Sequence, residues 1–341
     1  MLAVGDTTGS APAEHGAATR AAARLGGGRG RARIRRLRDY AIVSIFVALF
    51  AVLAISTDAF LTKTNLLNLV DQSAALGIIA CAGTLVVIAG GFDLSTGAIF
   101  ALAGVIAAKV TIATDDVAFG YMAGAATGLV AGVANGVALT VGRVNSFVAT
   151  LASSLIVRGI ALAITSGSLV TVENGGFEGL GTNTLAGVKL TTWAFVIACA
   201  IFWFVLVKTA YGRYVFAIGG SAEAARLSGV RVGVLRASTF ALSGLAAGIA
   251  GTMIASRNIT GQADSGTGLE LTAIAAIVIG GTSIAGGQGA IWRTTLGVLL
   301  LGMIGNGFNL LNINPIYQSI LTGVIILVAV TVDARARNTV G

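Results

Sequence analysis

Residues Ile42-Val-Ser-Ile-Phe-Val-Ala-Leu-Phe-Ala-Val-Leu-Ala-Ile55 decide the fold class. Only Ser44 interrupts their apolar character, and polar and apolar positions do not alternate. A barrel in an outer membrane needs that alternation over about ten residues. A helix that crosses a bilayer needs about twenty continuous apolar residues instead. Runs of the second kind recur along the 341 residues, which are 55% hydrophobic and 11% charged, with a mean hydropathy of +0.90. A soluble globule could not cover itself with so few charges. Long disorder needs the opposite composition. In lipid each segment must satisfy its own backbone, which a helix does. The expected fold class is an all-α polytopic membrane helical bundle.

Ten spans are expected, over 40–57, 66–89, 97–113, 117–141, 145–168, 190–207, 236–257, 271–286, 294–311 and 316–332. An even count puts both termini on one side, and basic charge chooses the side. Eight arginines lie between Arg20 and Arg38, in an Ala- and Gly-rich tail over 1–39. With that tail inside, the inner segments hold 17 of the 22 basic residues. Without it, the short inner loops still lead by nine to four, as the positive-inside rule requires. Both termini are therefore expected to be cytoplasmic, with 333–341 a short tail after a transmembrane domain over 40–332. The net charge of +8 could instead mark nucleic-acid binding. The tail has no interleaved aromatics to stack on bases. The reading is attraction to anionic membrane lipid, with no nucleic-acid partner. A basic stretch before an apolar one resembles a signal peptide, but its length and the spans that follow make it a signal anchor.

The chemistry available to an enzyme is sparse. Cys81 and Cys199 both sit in apolar runs, so neither a disulfide nor a zinc site is expected. The one histidine, His15, lies in the tail, which excludes a histidine-based triad or metal centre within the membrane. No G-x-x-x-x-G-K-[ST] stretch is present, so the chain has no P-loop of its own. No catalytic residue and no metal site are expected.

Two patterns within the spans bear on packing and passage. Gly120, Gly124, Gly128, Gly132 and Gly136 fall on one helix face at a spacing of four, and Gly244 and Gly248 repeat the device. Such rows let helices meet at backbone distance, either as plain packing or as an interface that can slide. Ionisable groups at membrane depth are costly and mark function. Arg158 lies near the middle of the fifth span, Asp71 in the second and Asp93 just beyond it. Arg158 either pairs with one of these aspartates along a polar cavity or acts as a structural clasp.

The long inner loop, 208–235, reads Thr209-Ala-Tyr-Gly-Arg-Tyr-Val-Phe-Ala-Ile-Gly-Gly-Ser-Ala-Glu-Ala-Ala-Arg-Leu-Ser-Gly229. Its Glu223-Ala224-Ala225-Arg226-Leu-Ser-Gly229 segment resembles the E-A-A-x-x-x-G coupling motif of ATP-binding-cassette importer permeases, and Gly212, Arg213, Gly219 and Gly220 precede it. From about Asn65 to Asp333 the chain resembles the ribose permease family of monosaccharide importers. Gly90-Gly-Phe-Asp93-Leu-Ser95-Thr-Gly97 is similar to its G-G-x-D-L-S-x-G. Phe147-Val-Ala-Thr-Leu151 with Arg158-Gly159 is similar to its F-x-x-T-L…R-G block, and Leu269 to Gly289 to its penultimate-helix signature. The chain departs from the family pattern at Ser221, Thr272, Gln288 and Arg293, and no proline precedes Phe147.

The resemblance implies a division of labour. The permease pairs as a homodimer or with a sister permease. A cytoplasmic ATPase that binds ATP and Mg docks on the inner loop, and an extracytoplasmic sugar-binding protein delivers substrate. This chain would itself bind no cofactor and be no enzyme. The expected function is import of a pentose or related polyol across the cell (inner) membrane. Asn68, Asp71, Gln72 and Asn309 are candidate lining residues beside Asp93, Ser95 and Arg158. The alternatives are a permease for branched-chain amino acids or a furanone signal, or an ion-coupled secondary carrier.

Overall fold

The computed structural model describes residues 42–314, 316–318, 320–325, 327 and 331. The tails expected over 1–39 and 333–341 lie outside them. Thirteen helices follow one another among the described residues. They are α1 (Ile42–Ser56), α2 (Lys63–Ile88), α3 (Thr96–Thr114), α4 (Val117–Val141), α5 (Ser146–Thr165), α6 (Gly179–Thr182), α7 (Leu190–Lys208), α8 (Ala210–Gly220), α9 (Ala222–Leu227), α10 (Val232–Asn258), α11 (Leu269–Ile279), α12 (Ile291–Leu310) and α13 (Ile316–Ile325). Two small antiparallel pairs join them. Strand β1 (Val170–Thr171) pairs with β4 (Thr260–Gly261), and β2 (Thr184–Leu185) with β3 (Val188–Lys189). The fold is an all-α membrane bundle. Helices α2, α3, α4, α5, α7 and α10 are long and apolar enough to cross a bilayer, while α1, α11 and α13 are shorter apolar helices.

Side-chain caps set where several helices begin. Thr62 accepts from Asn65 N at α2, Asp116 from Phe119 N at α4 and Asn145 from Phe147 N at α5. Helices α2 and α3 form the buried axis, and α4, α5 and α7 keep most of their surface outside. The only buried residues of α4 are Gly120, Gly124, Gly128, Gly132, Asn135 and Gly136. The glycine row, with Asn135, is thus the deeply buried face of that helix. A methyl on Gly128 would run into Gly244 O and come within 2.6 Å of Gly248 Cα; one on Gly136 would meet Ala237 Cα at 2.8 Å. Gly120 and Gly124 lie in the same way against α3, at Ala107 O and Ala103 O. Two backbones touch along this seam because neither has side chains there.

A charged clamp closes one end of the bundle. Asp71 is 4% exposed. Its Oδ2 accepts from Lys189 Nζ at 2.9 Å, and its Oδ1 accepts from Arg257 Nη2 at 2.7 Å and from Thr191 Oγ1. One carboxylate therefore ties α2, the start of α7 and the last turn of α10. Nearby, Ser256 Oγ and Tyr121 OH both donate to Phe177 O at 2.6 Å, which pins the 169–189 connection over the bundle end. Cys81 and Cys199 are free thiols, and their sulfurs face each other at 3.5 Å between α2 and α7.

The expected eighth span is not continuous. After α10 the chain doubles back along α3. Gly261 abuts Gly104 O and Val105 Cα, and Gly266 abuts Gly97 O. That run passes about 12 Å of α3 at 1.5 Å per residue. Helix α11 then starts beside the first turn of α3 and stops at Ile279. The rest of the apolar stretch, to residue 286, is turn rather than helix. Gly281, Gly286 and Gly287 have φ of +78°, +87° and +72°, which a helix cannot use. Irregular backbone at depth survives because protein, not lipid, surrounds it.

Gly128→Ala should lower the thermal stability of the detergent-purified chain by about 1–3 kcal/mol through overpacking. Gly159→Ala, whose Cβ would meet nothing within 4 Å, should leave it unchanged or raise it by up to ~1 kcal/mol. Equal losses in the two variants would contradict the seam. Asp71→Asn should cost about 3 kcal/mol by stranding two cations. A double-mutant cycle with Arg257→Leu should show losses well short of additive; additive losses would uncouple the two residues.

Candidate functional site

The loop segment 208–235 is folded into two short helices. Thr209 caps α8 by accepting from Gly212 N at 3.3 Å. Gly212 has no room for a side chain, because a methyl there would overlap Leu206 O where α7 bends into α8. Val215 and Ile218 bury one face of α8 and leave Arg213 and Tyr214 outside. Ser221 ends α8 and caps α9, accepting from Ala224 N at 3.2 Å.

Helix α9 carries the E-A-A segment. Ala225 is its only buried residue and anchors it to the core. Glu223, Ala224, Arg226 and Leu227 are exposed, Leu227 at 79%. Glu223 Oε1 accepts from Arg226 Nη2 at 2.7 Å, in a pair open to solvent on both sides. Such a pair adds little to folding, so both charges are available to a partner. The helix ends in a Schellman motif: Val230 N donates to Ala225 O and Gly229 N to Arg226 O, both at 3.0 Å. Gly229 takes φ +84°, and nothing lies within 4 Å of where its Cβ would be. The glycine of the motif is required by backbone conformation, not by crowding.

The same loop is braced against the bundle through backbone alone. A methyl on Gly219 would overlap Ile88 O at the end of α2 and come within 2.5 Å of Gly287 N. Gly287 N itself donates to Ile88 O at 2.8 Å. The end of α8, the end of α2 and the turn between α11 and α12 thus share one contact point. Gly220, beside it, is open.

The Gly90–Gly97 segment is a pinned turn. Ser95 N and Ser95 Oγ donate to Asp93 Oδ1 at 3.0 and 2.5 Å, and Asn135 Nδ2 donates to Ser95 Oγ at 2.7 Å. From α5, Thr150 Oγ1 accepts from Leu94 N at 3.0 Å and Ser146 Oγ from Phe92 N at 3.1 Å. The threonine of the F-x-x-T-L block therefore holds the G-G-x-D-L-S turn. Two motifs 54 to 56 residues apart form one unit.

Neither aspartate pairs with Arg158. Asp71 is taken by Lys189 and Arg257, and Asp93 by Ser95. Arg158 instead donates from Nη1 to Thr267 Oγ1 at 2.5 Å, on the doubled-back segment. Its charge therefore reaches a loop hydroxyl rather than a carboxylate. Asn68, Gln72 and Asn309 are exposed. The asparagines that join α2 to α12 are Asn65 and Asn306, at 2.7 Å. Sequence reasoning did not single out Lys189, Thr191, Arg257, Asn135 or Thr150 as partners. Asn135 did carry a signal, as a polar residue one step from Gly136 in an otherwise bare row.

The chain is similar to known permeases over most of its length. It is 38% identical over 295 residues to the ribose import permease protein RbsC of Bacillus subtilis (strain 168), covering 85% of this chain and 92% of that one. It is 38% identical over 305 residues to the L-arabinose transport system permease protein AraH of Escherichia coli (strain K12), covering 89% and 93%. It is 36% identical over 297 residues to the L-arabinose ABC transporter permease protein AraH of Azospirillum brasilense, covering 87% and 88%. No solved structure matches it. Residues 65–330 match the family described as branched-chain amino acid transport system / permease component, and the chain belongs to that family.

Proposed function

We propose that the chain is the membrane permease of an ATP-driven importer that carries a pentose across the cell (inner) membrane. The observation that carries this reading is the exposed α9 on its Schellman turn, seated where α2, α8 and the α11–α12 turn meet. A cytoplasmic ATPase gripping Glu223, Ala224 and Arg226 would have a stiff lever on three elements at once. ATP and Mg belong to that partner, and this chain is not an enzyme. The names of its relatives, ribose and arabinose permeases, support a pentose. The family description leaves branched-chain amino acids as the rival cargo.

The arrangement in the membrane follows from the same reading. Ten spans put both termini and α8–α9 on the cytoplasmic side, with α11 as a half-span that enters from the bundle interior. The Asp71 clamp then closes the outer end, where an extracytoplasmic sugar-binding protein would dock. Helix α5 keeps Phe147, Leu151, Leu155 and Ile156 exposed. That face meets lipid or a second permease, the same chain or a sister. Arg158 and Thr267 lie beside it and offer sugar hydroxyls polar contacts at depth, and Asn68, Gln72 and Asn309 do so nearer the outer end.

Gly229→Val should abolish ATP-dependent uptake of radiolabelled ribose or arabinose in vesicles with the chain still in the membrane. The left-handed conformation costs a β-branched residue about 1–2 kcal/mol. Gly229→Asn, which tolerates that conformation, should retain most uptake. Glu223→Lys should leave the fold intact and uncouple ATP hydrolysis from uptake. Normal uptake in both Gly229→Val and Glu223→Lys would refute the coupling role. Uptake of leucine but of no pentose would overturn the cargo.

A further inference from the structure

Cys81 and Cys199 meet on a seam whose chemistry the transport reading does not use. Helices α2 and α7 run parallel there and in step. Asp71 accepts from Thr191, the ring of Phe195 fills the space beside Gly77, and one turn further Cys81 Sγ lies 3.5 Å from Cys199 Sγ. Gly77 sets this closeness, since a methyl on it would run into the Phe195 ring. Cys81 is fully buried. Cys199 is half-buried, on a helix that keeps most of its surface outside. Thr295 of α12 completes the cluster. Its hydroxyl donates to Ile291 O at 3.0 Å and lies 3.4 Å from Cys199 Sγ. With the threonine proton committed to Ile291, the Cys199 thiol is left to donate to Thr295 Oγ1, and the Cys81 thiol to Cys199 Sγ. The three side chains then form one chain of hydrogen bonds that leads from the buried thiol through the open one to a hydroxyl.

The two thiols have different access, and that assigns them different roles. A lone buried thiol is inert, whereas a thiol within reach of an oxidant and backed by a second thiol is set up for exchange. The sulfurs are about 1.5 Å from the separation of a disulfide. We propose that Cys81 and Cys199 are a peroxide-responsive dithiol whose disulfide staples α7 to α2. The oxidant is a lipid hydroperoxide, which shares the bilayer with the open face of α7. Cys199 gives its proton to Thr295 Oγ1, and its sulfur attacks a peroxide oxygen. The O–O bond breaks, the alkoxide leaves as the alcohol with that proton, and Cys199 becomes a sulfenic acid. Cys81 Sγ then attacks Cys199 Sγ and displaces hydroxide, which leaves as water with the Cys81 proton. Two thiols are oxidised by two electrons, and one hydroperoxide is reduced to an alcohol and water. The staple falls midway between the Asp71 clamp and the bend of α7 into α8, so it fixes the two helices over the length between them.

Treating the full chain in lipid nanodiscs with cumene hydroperoxide, a lipid-soluble probe, tests this without ATPase or sugar, so the outcome is independent of the transport reading. Both thiols should disappear together, with a peptide pair linked through Cys81 and Cys199 and a mass lower by two hydrogens. Dithiothreitol should restore both. The oxidised chain should also unfold at a higher temperature than the reduced one. In Cys81→Ala, dimedone should trap a sulfenic acid at Cys199. In Cys199→Ala, Cys81 should stay free. Thiols that both survive the peroxide, a disulfide formed only between two chains, or Cys81 oxidised as fast in Cys199→Ala would overturn the proposal. The effect on transport, which does rest on that reading, is read in vesicles. Peroxide should stop uptake by the unaltered chain, dithiothreitol should restore it, and Cys81→Ala should be insensitive. Unchanged uptake by a chain shown to carry the disulfide would refute the staple, whereas failure of the transport reading shows as no uptake before any peroxide is added.

Discussion

Contact between two backbones, along the seam of α4 with α10, sets the spacing on which the rest of the bundle depends. Gly128, Gly132, Gly244 and Gly248 leave no side chain between the helices. The hydrophobic effect does little between helices already in lipid, so close packing has to supply the attraction. With α10 held this near, Asn135 on α4 reaches Ser95 and fixes the turn before α3. The same closeness seats α10 against α2 and α3, the buried axis.

The two irregular segments follow from that spacing. The Gly90–Ser95 turn and the doubled-back run after α10 both place non-helical backbone inside the bundle. Each is held by side chains of α5: the hydroxyls of Ser146 and Thr150 accept from the first, and Arg158 donates to Thr267 of the second. Bracing of this kind makes the elements move together or not at all. The contact of Gly219 with Ile88 O and Gly287 N extends the linkage to the loop helices. A pull on α9 would thus be felt at the end of α2 and at the turn before α12, without a long wire of side chains.

Local spacing was legible in the sequence, and distant pairing was not. The glycine row could be read because a period of four is a helix face whatever lies opposite. The E-A-A segment, with its terminal glycine, could be read as a short capped helix because caps and left-handed glycines are local. Asp71 was legible as a buried charge, but its partners lie 118 and 186 residues away and leave no trace in spacing. Depth alone left Arg158 open between an aspartate partner and a structural clasp, and its partner, Thr267, lies 109 residues away. The eighth span was misjudged in extent because hydropathy averages over Gly280–Gly287, whereas positive φ at three of those glycines ends the helix.

Site-directed cross-linking tests the proposed grip of an ATPase on α9. Ala224 is exposed and Ala225 is buried on the same short helix. In membrane vesicles holding the assembled transporter, Ala224→Cys should form a cross-link to the companion ATPase that changes in yield with ATP. Ala225→Cys should form none. An assembled, transport-competent complex with no cross-link from Ala224→Cys, or with equal cross-links from both positions, would contradict the claim.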